Sequence, residues 1–298
     1  MIFIWLSNWL RNRLVGLLHY RRHIFIFQPV RGLLERLVLS DYKDDKKLKL
    51  VGIQLVDACN YHCQHCPRKF DFEETDNRWK YKHVINYMNV GLYHRIINEL
   101  KTIHYDQTIC LTESDESTIR KDFVELAIYA SLELPLAEIR IVTNGSLMTK
   151  EDYLQLIKRP NVFIFIDTYN VQKVIDKVKA WPKNNRCEIR HYKTPSALFN
   201  WAGALPSRFK LPLKQPCWRP SAELIIHYDG TVKDCALNYY EGFVGDLNKQ
   251  TIMEIWNGNA IQKHRELLKN NIRDGACRNC DYFGEISHYK NEIRQNVV

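Results

Sequence analysis

Eight residues near the start of the chain carry three thiols: Cys59-Asn60-Tyr61-His62-Cys63-Gln64-His65-Cys66. Their spacing is C-x3-C-x2-C. Thiolates are soft donors that select iron–sulfur clusters, zinc or copper(I). A [4Fe–4S] cluster takes four ligands, so three thiols leave one iron open to a small molecule. A helix would spread these three thiols along one face over about two turns and a strand would split them between faces, so the segment is read as a loop wrapped around the metal. The other reading is a zinc knuckle, which wants four ligands in two close pairs.

A second set lies far downstream: Cys217, Cys235, Cys277 and Cys280, in the pattern C-x17-C…C-x2-C. Four thiols saturate one cluster or one zinc ion. The two remaining cysteines, Cys110 and Cys187, fall inside apolar runs and read as small buried hydrophobes.

The elements that must position these thiols follow from periodicity. Leu48–Val56 reads as a buried strand, which puts the first loop at a strand's carboxyl end, where α/β folds build their sites. Arg68–Lys82 is polar and aromatic and is expected to be an active-site loop. Strands are then expected at 108–111, 137–142, 162–166 and 187–190, alternating with helices at 88–103, 118–132, 150–158 and 171–179. Such alternation demands a parallel sheet. Beyond Pro212 the character changes. Two apolar runs flank Asp229-Gly230, a strong hairpin signal that draws Cys217 and Cys235 together. Helices over 252–256 and 261–270 lead to the last two thiols.

The chain has 298 residues and a formal net charge of +9. That length can bury one large domain and a small one, divided here as 1–47, 48–211 and 212–298. The charge favours acidic partners: phosphorylated sugars, nucleotides, nucleic acid or anionic lipid, or else a soluble basic surface. Nine cysteines without a cleavable signal segment fit a reducing cytoplasm better than a secreted disulfide scaffold. Residues 1–40 carry six arginines against the single acid Glu35. Leu6, Trp9, Leu10, Leu14, Leu17 and Leu18 would share one helical face. Two roles stay open for this stretch: a helix packed over the base of the sheet, or a basic amphipathic helix at a membrane surface. The run Met1–Leu6 is too short to span a bilayer.

With these residues in view, the chain resembles the radical S-adenosylmethionine (SAM) enzymes, whose signature is C-x3-C-x2-C after the first strand of a partial (β/α)6 barrel. The resemblance implies that Cys59, Cys63 and Cys66 hold a [4Fe–4S] cluster whose open iron binds SAM. Reductive cleavage would give a 5′-deoxyadenosyl radical that takes a hydrogen atom from substrate. It implies that His65 lies near the adenine, that Glu116 stands for the acid binding the SAM amino group, and that Asn144, in Thr143-Asn144-Gly145, contacts SAM. Glu116 and Ser117 fall on the acid and proline of the family's Gly-Gly-Glu-Pro motif, but its two glycines are replaced here by Ser114-Asp115, which leaves the SAM pose less fixed. Asp167 falls where the family has a polar residue facing the chamber; Glu113 and Arg190 are further candidates for its wall. Asn200-Trp201-Ala202-Gly203 resembles a segment near the last barrel strand.

The Asp229-Gly230 hairpin, Gly245-Asp246-Leu247-Asn248 and Ile255-Trp256-Asn257-Gly258 resemble the SPASM extension. Four cysteines match its shortened, twitch-like form: a small hairpin-plus-helix domain whose Cys217, Cys235, Cys277 and Cys280 would hold an auxiliary [4Fe–4S] cluster. A saturated cluster has no iron free for substrate, so its natural task is electron transfer. The implied activity is a two-electron oxidation of a small polar or sugar-like metabolite, supplied with electrons by a flavodoxin- or ferredoxin-type donor. A SPASM-type peptide maturase is the alternative among enzymes. A basic metal-binding module for nucleic acid or membrane is the alternative outside them.

Overall fold

A computed structural model describes residues 47–75, 78–190, 199–207 and 209–282, without the side chains of Arg78 and Trp79. The amphipathic reading of residues 1–40 lies outside the described residues. Strand β1, Leu50–Ile53, is short and sheathed on both faces, with Val51 and Ile53 fully buried. A run without polar alternation has to lie inside a sheet covered on both sides.

The stretch expected to be a loop after the thiols is folded instead. A 3₁₀ turn over Pro67–Asp71 leads into an antiparallel hairpin of β2, Phe72–Thr75, and β3, Arg78–Tyr81. Phe72 pairs with Tyr81 and Glu73 with Lys80, and the two strands form a sheet of their own. The signal overlooked was Phe72 and Tyr81 spaced to meet across a hairpin, an aromatic cross-strand pair. Their rings meet edge-on at 5.4 Å.

Helix α1, Val90–Thr102, is capped by Asn89, whose side chain accepts from the amides of Gly91 and Leu92. That satisfies two of the donors a helix start leaves open. It buries Tyr93, Ile96, Ile97 and Leu100, while Val90 in its first turn is exposed. Next come β4 (Thr108–Cys110), α2 (Phe123–Glu133), β5 (Glu138–Thr143), α3 (Lys150–Leu156), β6 (Val162–Asp167), α4 (Gln172–Lys179) and β7 (Cys187–Arg190). A capping box between Thr149 and Asp152 starts α3. Every pairing from β1 through β4, β5 and β6 to β7 is parallel.

The hairpin strands β8, Glu223–Ile226, and β9, Thr231–Lys233, form as the Asp-Gly signal predicts, and Gly230 turns with φ +92°. Positive φ is a conformation that glycine adopts freely. Strand β10, Phe243–Asp246, pairs with β9. Helices α5, Ile252–Trp256, and α6, Asn259–Lys269, follow. Strand β8 lies parallel to β1 in continuous register, Leu50 opposite Glu223 through Ile53 opposite Ile226. The eight-stranded sheet therefore runs β10-β9-β8-β1-β4-β5-β6-β7. Six of its strands are parallel, and the sixth of these is contributed by the C-terminal hairpin. The carboxyl ends of β1, β4 and β8 consequently share one rim.

Candidate active site

The thiol loop leaves β1 at that rim. Its three cysteines are half-buried and form no disulfide. The Cys66 amide donates to the Cys63 carbonyl at 3.1 Å, and the Tyr61 amide lies 3.4 Å from Cys59 Sγ. Burial pushes the Cys59 thiol up to about 12, with Glu116 and the two neighbouring thiols adding to it; burial and Cys66 do the same to Cys63. Left to themselves these groups stay protonated. A bound cation reverses that preference, since a coordinating thiol is deprotonated outright. The donor set thus fits a metal cluster and has no other evident use.

Arg68 fixes the loop from below. It is 2% exposed and donates to Asp57 at 2.7 Å, to Asp71 at 2.9 Å and to the Ser114 carbonyl. Tyr81 Oη donates to the Asp57 carbonyl at 2.7 Å, which ties the β2–β3 hairpin to the same knot. The sequence reading gave Arg68 no role. One arginine among many carries no spacing signal.

A polar wall faces the thiols from the ends of β4 and β5. Asn144 Nδ2 donates to Asn60 Oδ1 at 2.9 Å, and Asn60 Nδ2 donates to Ser146 Oγ at 2.8 Å. Asn144 therefore anchors the loop residue adjoining Cys59. Asn60 and Ser146 escaped the sequence reading, although Asn60 stands inside the motif. Glu116 is 2% exposed and engaged within the protein: Thr143 Oγ1 donates to it at 2.7 Å, the Asn144 amide at 2.7 Å, and Thr118 Oγ1 at 2.5 Å. Burial raises its carboxyl, and these hydrogen bonds oppose the rise. Glu116 thereby locks the ends of β4 and β5 together.

His65 packs on Tyr169, ring centroids 5.1 Å apart, and its buried Nε2 has no hydrogen-bond partner. An orphaned buried nitrogen beside the thiols suits a polar ligand such as a nucleobase. Asp167 and Arg190, at the ends of β6 and β7, pair in a two-pronged ion bridge of 2.5 and 2.9 Å. Arg190 also lies over Phe165 at 4.9 Å. This pair stands two and three strands from β4 and braces the far end of the wall.

The second thiol set comes together around a small apolar core. Cys217 and Cys280 are buried with Phe199, Leu237, Leu268 and Tyr282, and Cys235 and Cys277 pack against them. Burial raises the Cys217 thiol to about 11, opposed by the Arg219 amide and Arg273, while Cys280 adds to the rise. These four free thiols again suit a cation and fit a four-thiolate cluster. Among the described residues, no three His, Cys, Asp or Glu side chains close on one point as a single-ion site.

The segment 200–203 joins the two thiol sets. Asn200 Nδ2 donates to the Asn279 carbonyl at 2.6 Å, between Cys277 and Cys280. Trp201 Nε1 donates to the His65 carbonyl at 3.2 Å, between Cys63 and Cys66. Gly203, at φ +98°, lets Asn279 approach; a Cβ there would meet the Asn279 side chain at 2.6 Å.

A small polar cavity beside the second set is lined among others by Gln54, Glu113, His227, Lys233, Cys235 and Tyr239. Glu113 follows β4 and packs so closely on β1 that a Cβ on Gly52 would overlap its carboxylate. Burial holds its carboxyl well above the usual range, with Glu223 and Asp115 adding to the effect. The charges of Arg219 and Lys233 oppose the rise, although Arg219 is itself bound to Glu223 by two hydrogen bonds of 2.8 Å. Burial lowers Lys233 to about 8, and its ammonium donates to the carbonyls of Asn238 and Tyr239. Burial, then Lys233, lowers His227 to about 4, so its ring is neutral near pH 7.

Comparison with known proteins agrees with this geometry. Residues 53–186 match the radical SAM superfamily, and residues 217–281 match the SPASM iron–sulfur cluster-binding domain. The chain is a radical SAM enzyme with a SPASM domain, which implies a SAM-binding [4Fe–4S] cluster and an auxiliary cluster.

Its relatives narrow the class. It is 24% identical over 250 residues to the S-adenosyl-L-methionine-dependent 2-deoxy-scyllo-inosamine dehydrogenase of Niallia circulans, covering 80% of this chain and 94% of that one. The crystal structure of BtrN in complex with AdoMet and 2-DOIA superposes with a TM-score of 0.69 at 19% identity, over 80% of this chain and 94% of BtrN. SuiB of Streptococcus suis, bound to its precursor peptide SuiA, gives a TM-score of 0.51 at 11% identity, over 94% of this chain and 88% of SuiB.

Proposed function

We propose that this chain is a radical SAM dehydrogenase, oxidising an alcohol of a small, polar, sugar-like metabolite to a carbonyl by two electrons. In this reading residues 48–211 serve hydrogen abstraction and residues 212–298 serve electron removal. The observation that carries it is the segment 200–203, which hydrogen-bonds to the backbone of both thiol sets, through Asn200 to Asn279 and through Trp201 to His65. When bound, the first cluster with SAM supplies hydrogen-atom abstraction and the second an electron sink.

The chain's own residues do the rest. Cys59, Cys63 and Cys66 hold the first cluster, with Asn60, Asn144, Ser146 and His65 around SAM. Cys217, Cys235, Cys277 and Cys280 hold the second. Glu113, its carboxyl raised by burial and adjoining acids, is placed to hydrogen-bond a substrate oxygen, and the hydroxyl proton released in the oxidation passes to solvent. His227, neutral, accepts hydrogen bonds from a substrate hydroxyl. The homologous inosamine dehydrogenase acts on a molecule of this kind.

A net charge of +9 favours an acidic, low-potential donor of flavodoxin or ferredoxin type. No helix among the described residues is long and apolar enough to cross a membrane. Contact of residues 1–40 with a membrane surface, and a reducing cytoplasmic location, belong to the same proposal.

The test is anaerobic reconstitution with SAM, a strong reductant and a panel of carbon-deuterated cyclitols and aminocyclitols. Deuterium transfer into 5′-deoxyadenosine together with a carbonyl product supports the reading. Deuterium transfer that ends in a crosslink or a reduced product would sink it.

A further inference from the structure

The segment 200–203 holds a backbone shape that its own residues do not favour. Trp201 and Ala202 lie in the left-handed region at φ 53° and 50°, followed by Gly203 at 98°. That region crowds the Cβ of any residue but glycine, so two such residues in succession persist only where their surroundings dictate it. The second thiol set supplies those surroundings. Asn200 is buried, and besides its bond to the Asn279 carbonyl it exchanges two with Asp281. Its amide donates to Asp281 Oδ1 at 2.8 Å, and the Asp281 amide donates to Asn200 Oδ1 at 3.1 Å. Asp281 adjoins Cys280 and is 1% exposed. Trp201 and Ala202 pack against the apolar core around the same thiols.

The other end of this strap reaches the first set. Trp201 Nε1 donates to the His65 carbonyl across 136 residues of sequence. Two further supports of the thiol loop sit at its ends: Asn144 on Asn60, next to Cys59, and Arg68, just after Cys66. The stretch between them carries His65, whose ring packs on Tyr169 and whose Nε2 has no hydrogen-bond partner. The indole fixes the peptide of that residue. A shift of the peptide would swing the ring, because both hang on one Cα.

We propose that Trp201 is a positioning residue that holds the His65 peptide in its SAM-binding pose, and that it does so only while the second thiol set is filled. Filling that set gathers Cys277 and Cys280 on either side of Asn279 and so fixes Asn200. An empty set releases the strap, and the His65 peptide with it. SAM then binds more weakly, although with SAM in excess its cleavage continues. The coupling is reciprocal, so bound SAM retains the second set's metal by the same factor. The inference rests on the proposed occupancy of both sets; it needs no dehydrogenation, and that reading can fail separately.

The experiment measures SAM binding to the reconstituted full chain by anaerobic equilibrium dialysis, without reductant or substrate, with iron and sulfide counted in each sample. Trp201→Phe keeps an aromatic ring and removes the N–H. Its iron should stay at about eight per chain. Its Kd for SAM is expected to rise about tenfold, equivalent to about 1.4 kcal/mol. Emptying the second set with Cys217→Ala and Cys280→Ala together should leave about four irons and weaken SAM binding by a similar factor. Adding Trp201→Phe to that emptied protein should cost little more, because both changes break one strap. An unchanged Kd in a fully loaded Trp201→Phe protein overturns the proposal. So does an emptied second set without effect, or two effects that simply multiply. Should Trp201→Phe fail to load its first site, Asn200→Ala cuts the strap at the second set instead: a raised Kd supports the proposal, and an unchanged one overturns it.

Discussion

The two thiol sets of this protein solve opposite problems. The first packs Cys59, Cys63 and Cys66 into eight consecutive residues of a half-buried loop at the sheet rim. The second collects Cys217, Cys235, Cys277 and Cys280 from three separate segments around an apolar core. A three-thiol loop needs outside support to hold its shape, and it receives it from Arg68 beneath and Asn144 beside it. The second set is held by the fold itself, through hairpin, helix and final turn, and encloses its contents. Local spacing thus creates an open reaction centre, while long-range packing creates a closed one.

Substitutions can break this contrast, and the largest effect is expected at the first set. Cys63→Ala removes one of only three ligands, so 5′-deoxyadenosine formation should disappear. Iron content should fall from about eight to about four per chain, leaving the second set loaded. Retained SAM cleavage would show that the loop is not the radical centre.

Cys280→Ala attacks the closed site and should separate the two functions. Cleavage of SAM should persist while the carbonyl product is lost, as seen by chromatography of both products from one reaction. Loss of both would mean that the second set supports the first structurally.

Arg68→Met probes the clamp beneath the open loop. It leaves Asp57 and Asp71 without their cation, and breaking such a buried pair costs about 3–5 kcal/mol. Thermal unfolding of the reconstituted protein should drop by on the order of ten degrees. An unchanged midpoint would remove Arg68 from the account of loop rigidity.

Asn144→Ala frees Asn60 and is milder. An unmade buried hydrogen bond costs about 1–3 kcal/mol. If Asn144 also faces SAM, the KM for SAM should rise about tenfold, equivalent to roughly 1.4 kcal/mol. A stability loss without a KM change would make Asn144 a loop anchor alone.

The smallest expected effect concerns Asp115, whose carboxyl burial pushes up to about 7, against hydrogen bonds from the Glu113 amide and Ser117 Oγ. A carboxyl raised on folding keeps its proton longer in the native state, so stability falls as pH rises from about 4 to about 7. Asp115→Asn should flatten that slope in unfolding experiments at pH 5 and pH 7.5. An equal slope in both proteins would place the titration elsewhere.

The sequence by itself determined a good deal. Alternating apolar strands and amphipathic helices dictated a mainly parallel sheet, because buried parallel strands need helical cover on both faces. The C-x3-C-x2-C spacing after β1 was legible because the whole motif is local. The Asp229-Gly230 hairpin was legible too, since a turn of that shape needs a residue at ease with positive φ. Tertiary structure decided what depends on distant residues meeting. It made β8 the sixth parallel strand beside β1, a pairing that no local signal encodes. It turned the stretch after the thiols into a hairpin clamped by Arg68. It occupied the Glu116 carboxylate with Thr143, Asn144 and Thr118, and set Asp167 against Arg190. It also hung Asn200 and Trp201 between the two thiol sets and laid His264 beside Cys277. Periodicity and motif spacing report on neighbours along the chain; burial, pairing and the partners of a charge are settled only once the chain has closed on itself.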